Sequence, residues 1–272
     1  MQPQARYRIP TCINGFLSLW PMRRAAFECG ANQVRFGAEE DLMTDVQPIA
    51  PTQTEASPAA PPAFGATDLA SHIAAKLCHD FISPSGAIVS GLDLLRDPSA
   101  QDMREEAMGL IESSARKMVA IVHFARVAFG AATSSERFDA GELRNLAEGV
   151  FDHMRAELDW AVDVQIFEKP EARALLNLAY LGGGALPTGG RATVGAKRDD
   201  EGLQMAVESR GPRARLKPET AVGLRGEQLT DGLAGQWIQS FWLSQVVADA
   251  KGALELETDQ DLVKIRVRLP AG

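Results

Sequence analysis

Apolar residues recur at helical spacing over two stretches of this chain and alternate in strand fashion over its second half. Between about Asp68 and Leu95, a seven-residue repeat puts Ala74, Phe81, Ile88 and Leu95 at a and Ala70, Leu77, Pro84 and Gly91 at d. Ile73, Leu92 and Leu94 widen the stripe. Thr67 or Asp68 can cap this helix, and Asp97-Pro98-Ser99 should turn the chain after Arg96. Ser99 with Asp102 forms an acidic variant of a capping box for a second helix running to about Phe129. Its a positions are Ile111, Met118 and Ala125, its d positions Ser114, Ile121 and Ala128, with Leu110, Val122 and Phe124 alongside; Gly130 ends it. Two long helices and a short loop make an antiparallel hairpin over 67–130. One copy leaves both stripes half covered, so a homodimer closing a four-helix bundle is the expected packing.

From Glu136 the texture changes, and residues 136–272 read as a separate α/β domain, giving an α+β fold class for the whole. Arg137 to Asp139 suits a short strand and Gly141 to Leu158 a helix with Leu143, Leu146, Val150 and Met154 inward. Ala161 to Phe167 alternates as a strand, and Pro170 suits the first turn of a helix through about Leu181. Ala192 to Lys197 and Leu203 to Glu208 form a hairpin. Gln236 to Ala250 is a helix carrying a Trp237, Phe241 and Trp242 cluster suited to a core, and Leu254 to Glu257 with Leu262 to Leu269 close the sheet. Gly182-Gly183-Gly184 and Gly189-Gly190 lack a following GK[ST], so helix exit and turn account for them better than a phosphate loop.

Residues 1–66 show no sustained period, and Val46 to Ala66 is Pro, Ala, Thr and Ser with few large apolar groups, the composition of a disordered tail or linker. A formal net charge of −8 argues against a nucleic-acid footprint or a polybasic membrane patch. No run approaches the roughly 20 apolar residues of a membrane span. Ile13 to Trp20 is too broken by Asn14, Gly15 and Ser18 for a signal segment. Cys12, Cys29 and Cys78 lack metal-ligand spacing or an even disulfide set, which suits reduced thiols in the cytoplasm, with Cys78 packed in a core or flank.

The chemistry concentrates at Lys76-Leu77-Cys78-His79-Asp80-Phe81-Ile82-Ser83-Pro84. His79 falls at f, facing solvent, where an imidazole stays neutral near its ordinary pKa of about 6.5 and can accept a phosphoryl group from another protein. Pro84 cannot donate to the Asp80 carbonyl and should loosen or kink the helix one turn on. Lys76 and Ser83, at i−3 and i+4, share the His79 face, where an ammonium can offset phosphoryl charge and a hydroxyl can donate to its oxygens. Asp80 can accept the other ring proton. An exposed helical histidine is ordinarily a plain surface residue. His72, His123 and His153 lack the acidic neighbour and the following proline, and that reading fits them.

His79-Asp80-Phe81-x-x-Pro84 resembles the H-box of sensor histidine kinases, and with the second helix and the α/β half the resemblance narrows to the ChpT-type histidine phosphotransferases, over about Thr67 to Pro270. It implies a sandwich like the kinase ATP-binding domain. In that alignment the magnesium-binding Asn becomes Leu181, the adenine-binding Asp becomes Ser209, and the second Gly of that box becomes Arg213, so nucleotide should not be held and no cofactor is expected. The lid is reduced to Asp231-Gly232-Leu233-Ala234-Gly235. The resemblance implies a phosphorelay intermediate. It would take phosphoryl from the receiver domain of a hybrid histidine kinase and pass it to response regulators, the receiver bringing Mg²⁺. A divergent kinase and a non-catalytic scaffold that binds regulators are the alternatives.

Overall fold

The computed structural model describes residues 64–130, 137–232 and 234–271. The tail expected over 1–66 therefore lies outside the described residues up to 63, as do Cys12 and Cys29. Helix α1 spans Ala66–Arg96 and runs on through Pro84. Its N-cap is Gly65, two or three residues before the expected cap, and Asp68 instead accepts from the Gly65 amide at 3.0 Å. After the turn, Asp97 accepts from the Ser99 amide and hydroxyl at 2.8 and 2.7 Å. Ser99 is thus held in a turn rather than capping a helix. A 3-10 turn at Gln101–Met103 leads into α2, Arg104–Ala128.

Only the C-terminal half of the α1 stripe obeys the hairpin. Pro84 and Gly91 are buried, and a Cβ on Gly91 would stand 2.6 Å from Ile111 Cγ1, so the absence of a side chain lets the helices touch. Ala70 and Ala74, assigned to d and a, are exposed. The N-terminal half of α1 has a different neighbour, provided by the α/β half.

That half runs β1 (Arg137–Asp139), α3 (Ala140–Phe151), β2 (Ala156–Val162), β3 (Ile166–Glu168), α4 (Lys169–Gly184), β4 (Gly190–Asp199), β5 (Gly202–Arg210), α5 (Pro218–Leu224), α6 (Ala234–Asp249), β6 (Ala253–Asp259) and β7 (Leu262–Pro270). The main sheet has order β2-β4-β5-β7-β6, with β2 parallel to β4 and the other pairs antiparallel; β1 and β3 form a separate antiparallel ribbon. Ala192, Val194, Leu203, Met205, Val207, Val263 and Ile265 alternate inward beneath α4 and α6. The opposite face carries ion pairs such as Glu208 with Arg210 and Lys264.

Four local expectations need correction. The single strand expected over Ala161 to Phe167 is instead the end of β2 and, after a break at 163–165, β3 of the separate ribbon. The helix expected through Leu158 stops at Phe151, where turn bonds from His153 to Val150 and Met154 to Phe151 swing the chain into β2. Gly182 and Gly183 lie within α4, not beyond it: a Cβ on Gly182 would stand 2.2 Å from Val207 Cγ2 and one on Gly183 2.6 Å from Met154 Sδ, so Gly182 lets α4 lie close on β5 and Gly183 lets it lie close on the end of α3. Helix α5 was not expected; it is short, and its start is marked only by Pro218.

Helix α6 is buried on two sides. Leu243, Val246 and Val247 enter the main core, while Trp237, Ile238 and Phe241 meet Phe64, Leu69 and Ile73 at the start of α1. Phe64, placed in the tail by sequence, lies edge-on to Trp237 and Phe241 at 5.3 and 5.1 Å between centroids. His72 is not a plain surface residue, since its ring meets Phe64 and Trp237. At the far end of the hairpin, carbonyls of the α2 C-terminus that helix geometry leaves without partners are satisfied by the α/β half. Ala128 accepts from Asn177 Nδ2 at 2.9 Å and from Trp242 Nε1 at 2.8 Å, and Gly130 accepts from Arg173 at 3.0 Å. Asn177 is fully buried and its Oδ1 accepts from Gln239.

Replacing Asn177 with Leu removes its bonds to Ala128 and Gln239, so urea unfolding should show a loss of about 2–3 kcal/mol. A loss below about 1 kcal/mol would mean that this clamp is not what joins the hairpin end to the α/β half.

Candidate functional site

His79 lies on α1 where the helix passes from its α6 contact to its α2 contact, and the side chain is 80% exposed. The outward f position expected for it is the one observed. Two clefts flank the ring. One, of about 320 Å³, is lined by Leu181, Arg215, Lys217, Thr220 and Gln236; the other, of about 240 Å³, by Ser83, Lys117, Ile121 and His153. Lys76, His79, Asp80, Met154, Tyr180 and Gln239 line both.

The residues chosen from sequence are not all placed as the repeat suggested. Ser83 is exposed and shares a cleft with His79. Pro84 is buried toward α2, so its effect on the site is limited to the Asp80 carbonyl it cannot serve. Cys78, expected to pack, is exposed. Lys76 differs most. It was placed beside a solvated His79 as an aid to incoming charge, yet it is only 5% exposed. Its Nζ donates to Asp80 Oδ2 at 2.6 Å and to Tyr180 Oη at 3.4 Å, and sits 5.0 Å from the centre of the Tyr180 ring. The heptad assumed that α2 alone covers α1, whereas α4 brings Tyr180 over the c position.

Burial is the largest influence on the Lys76 ammonium and pulls its pKa down, but the Tyr180 oxygen and the Asp80 carboxylate together outweigh it. The group titrates above its ordinary 10.5. Asp80 Oδ1, on the other side of the carboxylate, lies 3.5 Å from His79 Nδ1. The order along the chain is therefore Tyr180, Lys76, Asp80, His79, running from the α/β half to the exposed imidazole.

Of Leu181, Ser209 and Arg213, the positions where the kinase resemblance would put nucleotide ligands, Leu181 alone lines the larger cleft, and it is buried. Ser209 is fully buried, and its hydroxyl donates to the Gly182 carbonyl at 2.9 Å, tying β5 to α4. Arg213 has φ 63°, a left-handed conformation that a glycine would adopt without strain, and its amide donates to Asp261 at 2.7 Å.

A family model for the histidine phosphotransferase C-terminal domain matches residues 140–262, from the start of α3 into β7. The protein phosphotransferase ChpT of Brucella abortus (strain 2308) is 37% identical over 205 residues, spanning 75% of this chain and 97% of that protein. The chain belongs to the ChpT-type histidine phosphotransferase family. A bacterial phosphotransferase solved at 1.7 Å superposes with a TM-score of 0.67 and 29% identity, again over 75% of this chain and 97% of the other. Membership in this family and the likeness of fold cover α1 to β7 together.

Tyr180, Met154 and Gln239 line both clefts and were not picked out from the sequence. A signal existed for Tyr180. It is one of two tyrosines in the chain, and it puts a hydroxyl on the otherwise apolar run Leu175, Leu176, Leu178, Ala179 and Leu181.

Because Lys76 titrates higher in the folded chain than unfolded, its stabilising pairing is complete below the unfolded value and is lost as pH rises through the raised folded value. Alkaline titration of stability should therefore fall more steeply above pH 10.5 in the wild type than in Lys76→Met. Parallel alkaline limbs would show that the ammonium gains nothing from Asp80 and Tyr180.

Proposed function

We propose that His79 is the phosphoryl carrier of a phosphorelay, charged by the receiver domain of a hybrid histidine kinase and discharged to response-regulator receivers. The observation that carries this is an imidazole open to solvent whose Nδ1 is flanked by a carboxylate fixed from behind. Nδ1 keeps its proton against Asp80, so the lone pair of Nε2 points outward. Nε2 attacks phosphorus of the donor's aspartyl phosphate in line. The N–P bond forms as the P–O bond to the aspartate breaks, and a free carboxylate leaves. The ring then carries positive charge, which Asp80 stabilises at Nδ1–H. Transfer to the next receiver is the same step in reverse.

This chain supplies a positioned nucleophile, and Mg²⁺ enters with the receiver, whose acidic phosphorylation site can coordinate it. Lys217 and Arg215 on one side of His79 and Lys117 on the other give the clefts a basic rim that suits an anionic phosphoryl group. The ATP-driven reading is weaker, because Leu181 offers no oxygen to a metal and Ser209 is committed to Gly182.

Homodimerisation belongs to the same reading. Ile82, Val89, Leu92, Met108, Val119 and Val122 are exposed on the hairpin, with Ile82 and Val89 one heptad apart and Met108, Val119 and Val122 at whole-turn spacings. A second hairpin would cover this surface and close a four-helix bundle, presenting two His79 rings per assembly. Nothing in this assembly needs a membrane or nucleic acid, and a cytoplasmic phosphorelay is the setting proposed.

Incubation with a phosphorylated receiver domain should give an acid-labile, base-stable phosphoprotein in the wild type and none in His79→Gln, with no label from Mg-ATP alone. Label surviving in His79→Gln, or incorporated from ATP, would overturn the assignment. Light scattering should report a dimer, and Ile82→Glu with Val122→Glu should give a folded monomer. A wild-type monomer at micromolar concentration would exclude the bundle.

A further inference from the structure

We infer that Tyr180 is a positioning residue for His79: by clamping Lys76 from the α/β half, it fixes Asp80 and thereby sets which imidazole nitrogen is free. The inference rests on His79 being the phosphoryl acceptor, and deepens that reading by giving the α/β half a part in the reacting geometry that needs no nucleotide.

A buried ammonium is expensive, and burying one only to strengthen α1 would be poor chemistry. Lysine four residues before an acid is also the less favourable order for a helical ion pair, because it sets both charges against the helix dipole. The Lys76–Asp80 pair is nevertheless short, at 2.6 Å, and what holds it is outside the helix. Tyr180, from α4, lies across the ammonium, with its ring centre 5.0 Å and its hydroxyl 3.4 Å away. The hydroxyl is the nearer part of Tyr180, so its oxygen rather than the ring face supplies the grip.

The consequence is at Asp80. With Oδ2 held by Lys76, the carboxylate cannot turn freely, and Oδ1 is left 3.5 Å from His79 Nδ1. That separation is longer than a good hydrogen bond, as contacts at a reaction centre often are before the partner arrives, and a small side-chain adjustment closes it. Closed, it keeps the proton on Nδ1 and leaves Nε2 as the nucleophile facing solvent. Without the clamp, Asp80 is free to hydrate, and the outward nitrogen carries the proton in a larger share of molecules.

The experiment is ¹⁵N NMR of the four-histidine full-length chain, with His79 assigned by difference from His79→Gln, paired with transfer rates from a phosphorylated receiver domain. Tyr180→Leu and Lys76→Met should each shift His79 toward the Nε2–H tautomer and slow transfer by about tenfold, the scale of a misplaced catalytic group. Tyr180→Phe, which keeps the ring but removes the hydroxyl beside the ammonium, should move in the same direction as Tyr180→Leu in both readings. Lys76→Arg should recover most of what Lys76→Met loses. If Tyr180→Leu proves unstable by thermal melt, Lys76→Met tests the same link from α1. An unchanged tautomer in both variants overturns the inference, and so does a shifted tautomer with an unchanged rate. A wild type that accepts no label defeats the phosphorelay reading instead, while the tautomer still reports separately on whether Tyr180 orders Asp80.

Discussion

The Lys76 ammonium is the contact through which the two halves of this protein act on one another at the site. An ammonium removed from water must be paid back by neighbouring charge, and here the neighbours come from two elements: Asp80 one turn along α1 and Tyr180 from α4. The pairing has two geometric results. It fixes the side of α1 on which the α/β half lies, and it leaves the other carboxylate oxygen of Asp80 beside the only ring in the box that faces solvent. Around it, aromatic packing at one end and hydrogen bonds at the other secure the same arrangement. Phe64 and His72 pack on Trp237 at the start of α1, and Asn177 and Trp242 hold the last carbonyls of α2.

These contacts account for the chemistry retained in the α/β half. Where the kinase resemblance places nucleotide ligands, side chains serve packing: Ser209 bonds Gly182 and Leu181 is buried. Arg213 keeps a glycine-like backbone without a glycine. In the proposed reading the sandwich serves as a wall and a clamp for His79.

Much of this was legible in the sequence because it follows from local periodicity. The helical spacing located both long helices and put His79 outward, with Asp80 noted as its neighbour, and alternation found β4, β5, β6 and β7 of the main sheet but ran the end of β2 together with β3. Most of the misreadings share one cause, contacts between residues far apart in the chain. Lys76 looked solvated at c because the heptad describes one helix partner, and Tyr180, 104 residues away, is a second. His72 and Phe64 looked like surface and tail until Trp237 was beside them. Gly182 looked like a helix exit, but it marks the closeness of Val207 on β5. The overlong helix ending at Leu158 is a different failure: its apolar spacing continues past Phe151, and turn hydrogen bonds at His153 and Met154 override it.

The central claim is that phosphate is carried on the outward nitrogen of His79 because the inward one is held by Asp80. The most direct measurement is ³¹P–¹H correlation NMR of the chain phosphorylated by a receiver domain, which distinguishes the two phosphohistidine isomers and assigns the ring. A single resonance from Nε2-phosphorylated His79 is the result this account predicts. Phosphate on Nδ1, or on another residue, would contradict it.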